Sequence, residues 1–180
     1  MQRLQEQARD LINSIGLNDL TSGFDSYYTG SFELGTMAWP DVDLNVRYES
    51  ERRSEIFSIG ARCLDLHPSW FELRCTEDEP ASPGHFFLGF ELVHLDLLWN
   101  VDIWFLSNAE YRSGIQWLSR MRDRLRPNDQ ELIVKLKRYL IDQKSYPNGI
   151  PSVDVYDAVM ENTVSCAEDF QHWLENRRIT

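Results

Sequence analysis

Two short motifs in the first third of the chain carry residue types that handle phosphate and metal ions. Gly30 and Ser31 end a β-type run, where a glycine lets backbone N–H groups approach a phosphate and the serine hydroxyl adds a donor. Asp41 and Asp43 stand two residues apart at the start of a strand-like segment, so both carboxylates point to the same face. Magnesium usually combines one or two protein carboxylates with substrate phosphates. The spacing therefore predicts a site for a metal and a nucleotide.

A third carboxylate, Asp102, lies between Val101 and Ile103 in an apolar segment that is typical of a buried strand. Burying an ionised carboxylate is costly unless something compensates its charge. A metal ion shared with Asp41 and Asp43 would explain the position of Asp102, and so would a buried arginine partner. The sequence leaves both interpretations open.

The order of these motifs resembles the DNA polymerase β-like nucleotidyltransferase superfamily. In that pattern Gly-Ser is followed by nine residues, then by Asp-hydrophobic-Asp-hydrophobic, and later by a strand aspartate, as in this chain. The pair Gly35-Thr36 is similar to a second glycine-hydroxyl pair in several branches. The resemblance covers residues 27–106 and points to a small member of the antibiotic-modifying or minimal type.

The resemblance implies a site and a reaction. Two Mg²⁺ ions would bind to three catalytic carboxylates, those of Asp41, Asp43 and Asp102. The nucleoside triphosphate would be held by a further group of residues, Gly30, Ser31, Thr36 and Arg47. The enzyme would transfer a nucleoside monophosphate to a hydroxyl group of a small molecule or a protein by an in-line, two-metal displacement.

Two other functions remain open at this point. The sequence has no cation between Gly30 and Arg47, which favours a nucleotidyltransferase-like protein that only binds or regulates. A glycosyltransferase could instead use the Asp-x-Asp pair to hold a metal and a nucleotide sugar, although that function leaves the Gly-Ser spacing unexplained.

The hydrophobic period predicts which elements position these residues. Apolar residues at helical spacing over residues 4–15 predict a first helix, and residues 26–29 predict a short strand. Val42, Leu44 and Val46 alternate with polar residues, and residues 86–95 and 97–106 predict two further strands. Residues 1–107 thus predict an α/β core, a nucleotidyltransferase-like mixed β-sheet flanked by helices. Residues 108–180 predict a helical C-terminal region packed on that core.

Composition narrows the range of partners. The chain has 180 residues and a net charge of −11, which disfavours duplex nucleic acid and an anionic membrane as partners. The N-terminal residues lack the apolar stretch of an export signal, and three scattered cysteines do not form a disulfide framework. We therefore expect a cytoplasmic protein. The sequence does not indicate its oligomeric state.

Two residue classes have simpler structural interpretations. Tryptophans 70, 99, 104, 117 and 173 occupy apolar positions that predict core packing, whereas Trp39 precedes the Asp-x-Asp pair and is expected to border the cleft. The basic residues of the C-terminal helices, including Lys135 and Lys137, are expected mostly on solvated faces. Some of them could reach over the cleft to a nucleotide.

Overall fold

Five strands form one mixed sheet in the computed structural model, which describes residues 2–75, 85–146, 149–161 and 164–177. The strands are β1 (Ser26–Thr29), β2 (Asp41–Arg47), β3 (Trp70–Cys75), β4 (Phe86–His94) and β5 (Leu97–Leu106). Their spatial order is β1-β2-β5-β4-β3. The pair β2 and β5 is parallel, and the other neighbouring pairs are antiparallel.

Helices precede, interrupt and follow the strands. The first four are α1 (Gln2–Ser14), α2 (Leu17–Leu20), α3 (Gly30–Glu33) and α4 (Arg53–Leu64). After the sheet come α5 (Asn108–Arg124), α6 (Pro127–Asp142), α7 (Ser152–Met160) and α8 (Ala167–Arg177). Among the described residues, no helix combines the length and apolar character needed to cross a membrane.

One face of the sheet is apolar because its side chains alternate with a period of two. Val42, Leu44 and Val46 of β2 are buried there, next to Val101 and Ile103 of β5. The N-terminal helix α1 and helix α4 pack on this face and supply further members of the cluster, which include Leu11, Ile56 and Ile59. The opposite face of β2 and β5 therefore presents the polar residues between these positions.

The helices after the sheet form a second apolar cluster. Ile133, Leu136 and Leu140 of α6 pack with Val155 of α7 and Phe170 of α8. Both long helices begin at residues suited to a helix N-terminus. Ser107 accepts a hydrogen bond from the Glu110 amide while the Glu110 carboxylate accepts one from the Ser107 amide, and Pro127 is the first residue of α6.

The predicted α/β class with a mixed sheet and flanking helices is confirmed by this architecture. The alternation in residues 42–46 was sufficient to predict β2, and the apolar runs were sufficient to predict β4 and β5. One local feature differs, since Gly30 and Ser31 open the short helix α3 immediately after β1. The chain therefore turns sharply at the point where the motif begins.

Candidate metal and nucleotide site

The three aspartates converge at the polar face of the sheet. The parallel register of β2 and β5 places Asp43 directly beside Asp102, and Asp41 directly beside Asn100. One carboxylate oxygen from each of Asp41, Asp43 and Asp102 lies within 4.8 Å of the others. Asn100 Nδ2 donates a hydrogen bond of 2.8 Å to Asp41 Oδ1 and so fixes that side chain. This is the only cluster of potential metal ligands within the described ranges.

The three carboxylates have raised pKa values in the absence of a cation. Burial is the main cause for each of them, and neighbouring negative charges add to it for Asp43 and Asp102. The pKa of Asp43 is raised well above its usual 3.8, because Asp41 and Asp102 add their charges to the effect of burial. Burial and the charge of Asp41 raise the pKa of Asp102 to about 6. Three half-buried carboxylates that lie this close together are suited to binding a divalent cation.

Gly30 and Ser31 lie beside this cluster because β1 pairs with β2 and places Thr29 opposite Asp43. Gly30 has a φ of +62°, and a Cβ at this position would collide with the Asp43 carboxylate. Ser31 is only 7% exposed, and its hydroxyl has no hydrogen-bond partner in the part of the chain that the structure describes. A buried hydroxyl without a partner is costly, so its position beside the cleft is suited to a polar ligand.

The site lies in a cleft of about 920 Å³ between the polar face of the sheet and the C-terminal helices. Its lining includes Gly30, Ser31 and all three aspartates on one side, and Trp117, Tyr146 and Tyr156 on the other. Trp39 also lines this cleft, which confirms the expectation from the sequence.

The tryptophan prediction is wrong in part. Of the five residues expected in the core, Trp99 is fully buried, and Trp117 and Trp173 pack against the second apolar cluster. Trp70 and Trp104 instead line the cleft, which Trp117 also reaches. The reason is the strand alternation: Trp104 belongs to the same face of β5 as Asp102, whereas Trp99 points to the apolar side. Apolar residue type alone does not reveal which sheet face is covered.

Lys137, which was expected on a solvated face, is central to this site. Lys137 of α6 is 1% exposed and lies behind the wall of the cleft, with its ammonium group 4.7 Å from the ring centre of Tyr156. Its Nζ donates a hydrogen bond of 3.3 Å to the Tyr156 hydroxyl. Burial lowers the pKa of Lys137 to about 8, while the charges of Asp43 and Asp41 oppose that change. The prediction that Lys137 is solvated is therefore wrong.

The helical period contains the signal that identifies Lys137. The residue shares one face of α6 with Ile133 and Leu140, at spacings of four and three residues, and that face packs into the second apolar cluster. A lysine in an apolar stripe needs a compensating charge or a polar partner. Here the nearby carboxylates and the Tyr156 hydroxyl provide both.

The structure does not bring Thr36 and Arg47 to the cleft lining. Thr36 is fully buried, and its hydroxyl lies 2.5 Å from the Tyr156 hydroxyl, so it supports the residue that Lys137 contacts. Arg47 lies at the other end of β2, where it forms ion pairs of 2.8 Å with Asp25 and 3.0 Å with Glu49. Thr36 and Arg47 therefore do not line the cleft, whereas Gly30 and Ser31 do.

Gly30→Ala is expected to disrupt the site more than it destabilises the fold. The left-handed backbone costs a non-glycine residue about 1 to 2 kcal/mol, and the added Cβ displaces the Asp43 carboxylate. Gly16→Ala is the matched control, because Gly16 has a φ of +63° but a Cβ there has ordinary contacts. Urea unfolding should show similar losses for both variants, while calorimetry should show weaker Mg²⁺ binding for Gly30→Ala alone. Equal Mg²⁺ binding by the two variants would contradict this role of Gly30.

Thr36 and Tyr156 are expected to stabilise the protein as a coupled pair. Thr36→Val keeps the shape of the side chain but removes one of the two buried partners of the Tyr156 hydroxyl, at an expected cost of about 1 to 3 kcal/mol. Unfolding of Thr36→Val, Tyr156→Phe and the double variant forms a cycle that isolates the interaction. Additive losses would show that the two hydroxyls are not coupled.

Comparisons with known proteins show a similarity to solved structures. No family model matches the chain, and no curated protein matches it. Among solved structures, one described as that of a cytoplasmic RNA terminal U-transferase is similar, with a TM-score of 0.55 and 14% identity. The match covers 84% of this chain and 44% of the other protein, so this chain spans less than half of that length. The likeness shows a nucleotidyltransferase-like fold.

Proposed function

We propose that this protein transfers a nucleoside monophosphate from a nucleoside triphosphate to a hydroxyl group of a small molecule or a protein. The observation that carries the proposal is the convergence of Asp41, Asp43 and Asp102 within 4.8 Å, beside the buried hydroxyl of Ser31. The fold and the order of the motifs support the same function. The RNA acceptor of the similar structure does not extend to this chain, because the identity is 14% and the net charge is −11.

The three aspartates provide carboxylate oxygens, which are the hard ligands that cations such as Mg²⁺ prefer. We assign Mg²⁺ to the three carboxylates, because a magnesium site commonly leaves positions open for substrate phosphates. When bound, a pair of such ions would neutralise charge on the triphosphate and on the attacking and leaving oxygens. Asn100 holds the Asp41 carboxylate in the orientation that the site requires.

The triphosphate is assigned to the end of the cleft at Gly30 and Ser31. The lack of a side chain at Gly30 makes room for the Asp43 carboxylate, and the Ser31 hydroxyl donates to a phosphate oxygen. Lys137 adds a positive charge behind the wall of this end. Its charge lowers the pKa of Asp43, and the charge of Asp43 raises the pKa of Lys137. This lysine supplies a cation that the sequence between Gly30 and Arg47 lacks.

In the proposed reaction, the acceptor oxygen forms a bond with the α-phosphorus as the bond from that phosphorus to the bridging oxygen of the β-phosphate breaks. Pyrophosphate leaves, and the Asp102 carboxylate accepts the proton of the acceptor hydroxyl. The protein contributes mainly by holding the two reactants in line and by placing charge where it develops.

Nucleotide selectivity tests this proposal against its alternatives. Calorimetric titration with nucleoside triphosphates should show binding that requires Mg²⁺ and is lost with EDTA. Nucleotide sugars should bind more weakly, because the site is matched to a triphosphate. Tighter binding of a nucleotide sugar would favour the glycosyltransferase alternative. Nucleotide binding that does not depend on metal would favour a protein that binds without transfer.

A further inference from the structure

The cleft is electrostatically asymmetric about the three aspartates. At one end, the positive charge of Lys137 lies behind the wall of the cleft, where its Nζ donates a hydrogen bond of 3.3 Å to the Tyr156 hydroxyl. At the other end, the carboxylates of Glu72 and Glu91 line the cleft. The strand register explains the difference, because Glu72 of β3 pairs with Gly89 of β4, which pairs with Asp102. A phosphate chain is therefore favoured at the lysine end only.

Three aromatic rings form the floor of the second end of the cleft. Trp70, Phe87 and Trp104 line it, and the ring centres of Phe87 and Trp104 are 4.6 Å apart. Gly89 makes room for this floor, because a Cβ there would lie 2.6 Å from the Phe87 ring and 2.9 Å from the Trp70 ring. Trp70 remains 41% exposed, which leaves its ring accessible to a ligand. We name the second end, lined by these rings with Glu72 and Glu91, the aromatic–acidic subsite.

Arg74 is the one cation among the described residues that line the cleft. Its guanidinium carbon lies 5.3 Å from the ring centre of Phe87, and its Nε lies 3.8 Å from a Glu72 carboxylate oxygen. An arginine over this ring demonstrates that the aromatic floor accommodates a positive charge. One arginine beside two glutamates and Asp102 leaves the subsite with a net negative charge.

We propose that the aromatic–acidic subsite binds the acceptor, a small hydroxyl compound that carries a positive charge. The inference rests on the proposed function and names the acceptor class for it. Aromatic faces and carboxylates together recognise ammonium groups, whereas the phosphates of an RNA 3′ end would be repelled by Glu72 and Glu91.

Bound in this way, the cation places its hydroxyl oxygen next to Asp102, between the subsite and the triphosphate. That oxygen bonds to the α-phosphorus, pyrophosphate leaves, and the hydroxyl proton passes to Asp102. The product is a phosphodiester that joins the nucleoside to the cationic alcohol. Its positive charge remains on the aromatic–acidic subsite throughout the reaction.

Choline and its neutral carbon isostere, 3,3-dimethylbutan-1-ol, form a matched pair of probes. Both present a hydroxyl two carbons from a bulky group of similar shape, and only choline is charged. With Mg²⁺ and a non-hydrolysable triphosphate bound, calorimetry should show at least about tenfold tighter binding of choline, in line with a cation on aromatic rings and carboxylates. In the double variant Glu72→Gln/Glu91→Gln this preference should fall by at least about threefold, and the remainder reflects the aromatic rings. Glu131→Gln, at an exposed position on α6, is the control and should keep it.

The probe titrations distinguish failure of the acceptor inference from failure of the proposed function. Equal binding of the two probes, no binding of either, or an unchanged preference in the double variant overturns the inference. Tighter binding of an oligouridylate than of choline also overturns it, in favour of an RNA acceptor. In all these cases, Mg²⁺-dependent triphosphate binding measured in the same titrations would leave the proposed function intact. If the unmodified protein does not bind the triphosphate in the presence of Mg²⁺, the proposed function itself is overturned.

Discussion

Asp43→Asn is expected to reduce nucleotidyl transfer by at least about a thousandfold, because Asp43 is the central carboxylate of the proposed metal site. Asparagine keeps the size of the side chain, but removes the charge that a divalent cation requires. The measurement is pyrophosphate release under saturating Mg²⁺ and triphosphate, together with Mg²⁺ binding by calorimetry. Asp142→Asn changes an exposed aspartate at the end of α6 and should leave both unchanged.

The same substitution is expected to stabilise the metal-free protein. Burial and the charges of Asp41 and Asp102 raise the pKa of Asp43 above its unfolded value of 3.8, so ionised Asp43 disfavours the folded state. Its contribution to stability is present at low pH and is lost as the pH rises through the folded pKa. At neutral pH, with EDTA, Asp43→Asn should therefore melt at a higher temperature than the unmodified protein. Unchanged turnover, or a lower melting temperature with EDTA, would contradict the assignment of Asp43.

Lys137→Met is expected to have the second-largest effect on activity, a loss of about 10- to 100-fold in kcat/KM for the Mg²⁺–triphosphate. Methionine matches the length of the lysine stem, so the apolar packing of α6 is largely kept. The lost charge is the one that acts on Asp41 and Asp43, and the loss should appear mainly as a higher KM. Lys135→Met is the matched control, because Lys135 is exposed on the same helix.

The pH dependence of stability tests Lys137 independently of turnover. The pKa of Lys137 is lowered from 10.5 to about 8, so its charged form disfavours folding below about pH 8. This cost disappears as the pH rises from about 8 towards 10.5. The unmodified protein should gain stability over this interval relative to Lys137→Met, as measured by urea unfolding at several pH values. A constant difference between the two proteins would contradict the buried, charged state of Lys137.

Local patterns were sufficient to predict the sheet side of the site. The alternation of Val42, Leu44 and Val46 with polar residues shows which face of β2 carries Asp41 and Asp43. The placement of Asp102 beside Asp43 depends on the parallel register of β2 and β5. The sequence indicates that such a pairing is plausible, but the register follows from the packing of the whole sheet.

Local sequence patterns did not predict the C-terminal side of the cleft. Lys137 was assigned to solvent by its residue type, although its helical spacing places it with Ile133 and Leu140. The contacts of Trp117 depend on how α5 to α8 fold against the sheet, which is a long-range feature. In each case residue type was a weaker guide than periodicity, and periodicity was a weaker guide than tertiary packing.

A crystal structure with Mn²⁺ and a non-hydrolysable triphosphate tests the central claim most directly, since manganese is located by its anomalous scattering. We predict anomalous peaks in contact with Asp41, Asp43 and Asp102, with phosphate oxygens completing the coordination and the triphosphate next to Ser31. Manganese bound away from these carboxylates, or a triphosphate bound outside the cleft, would contradict the proposed nucleotidyltransferase site.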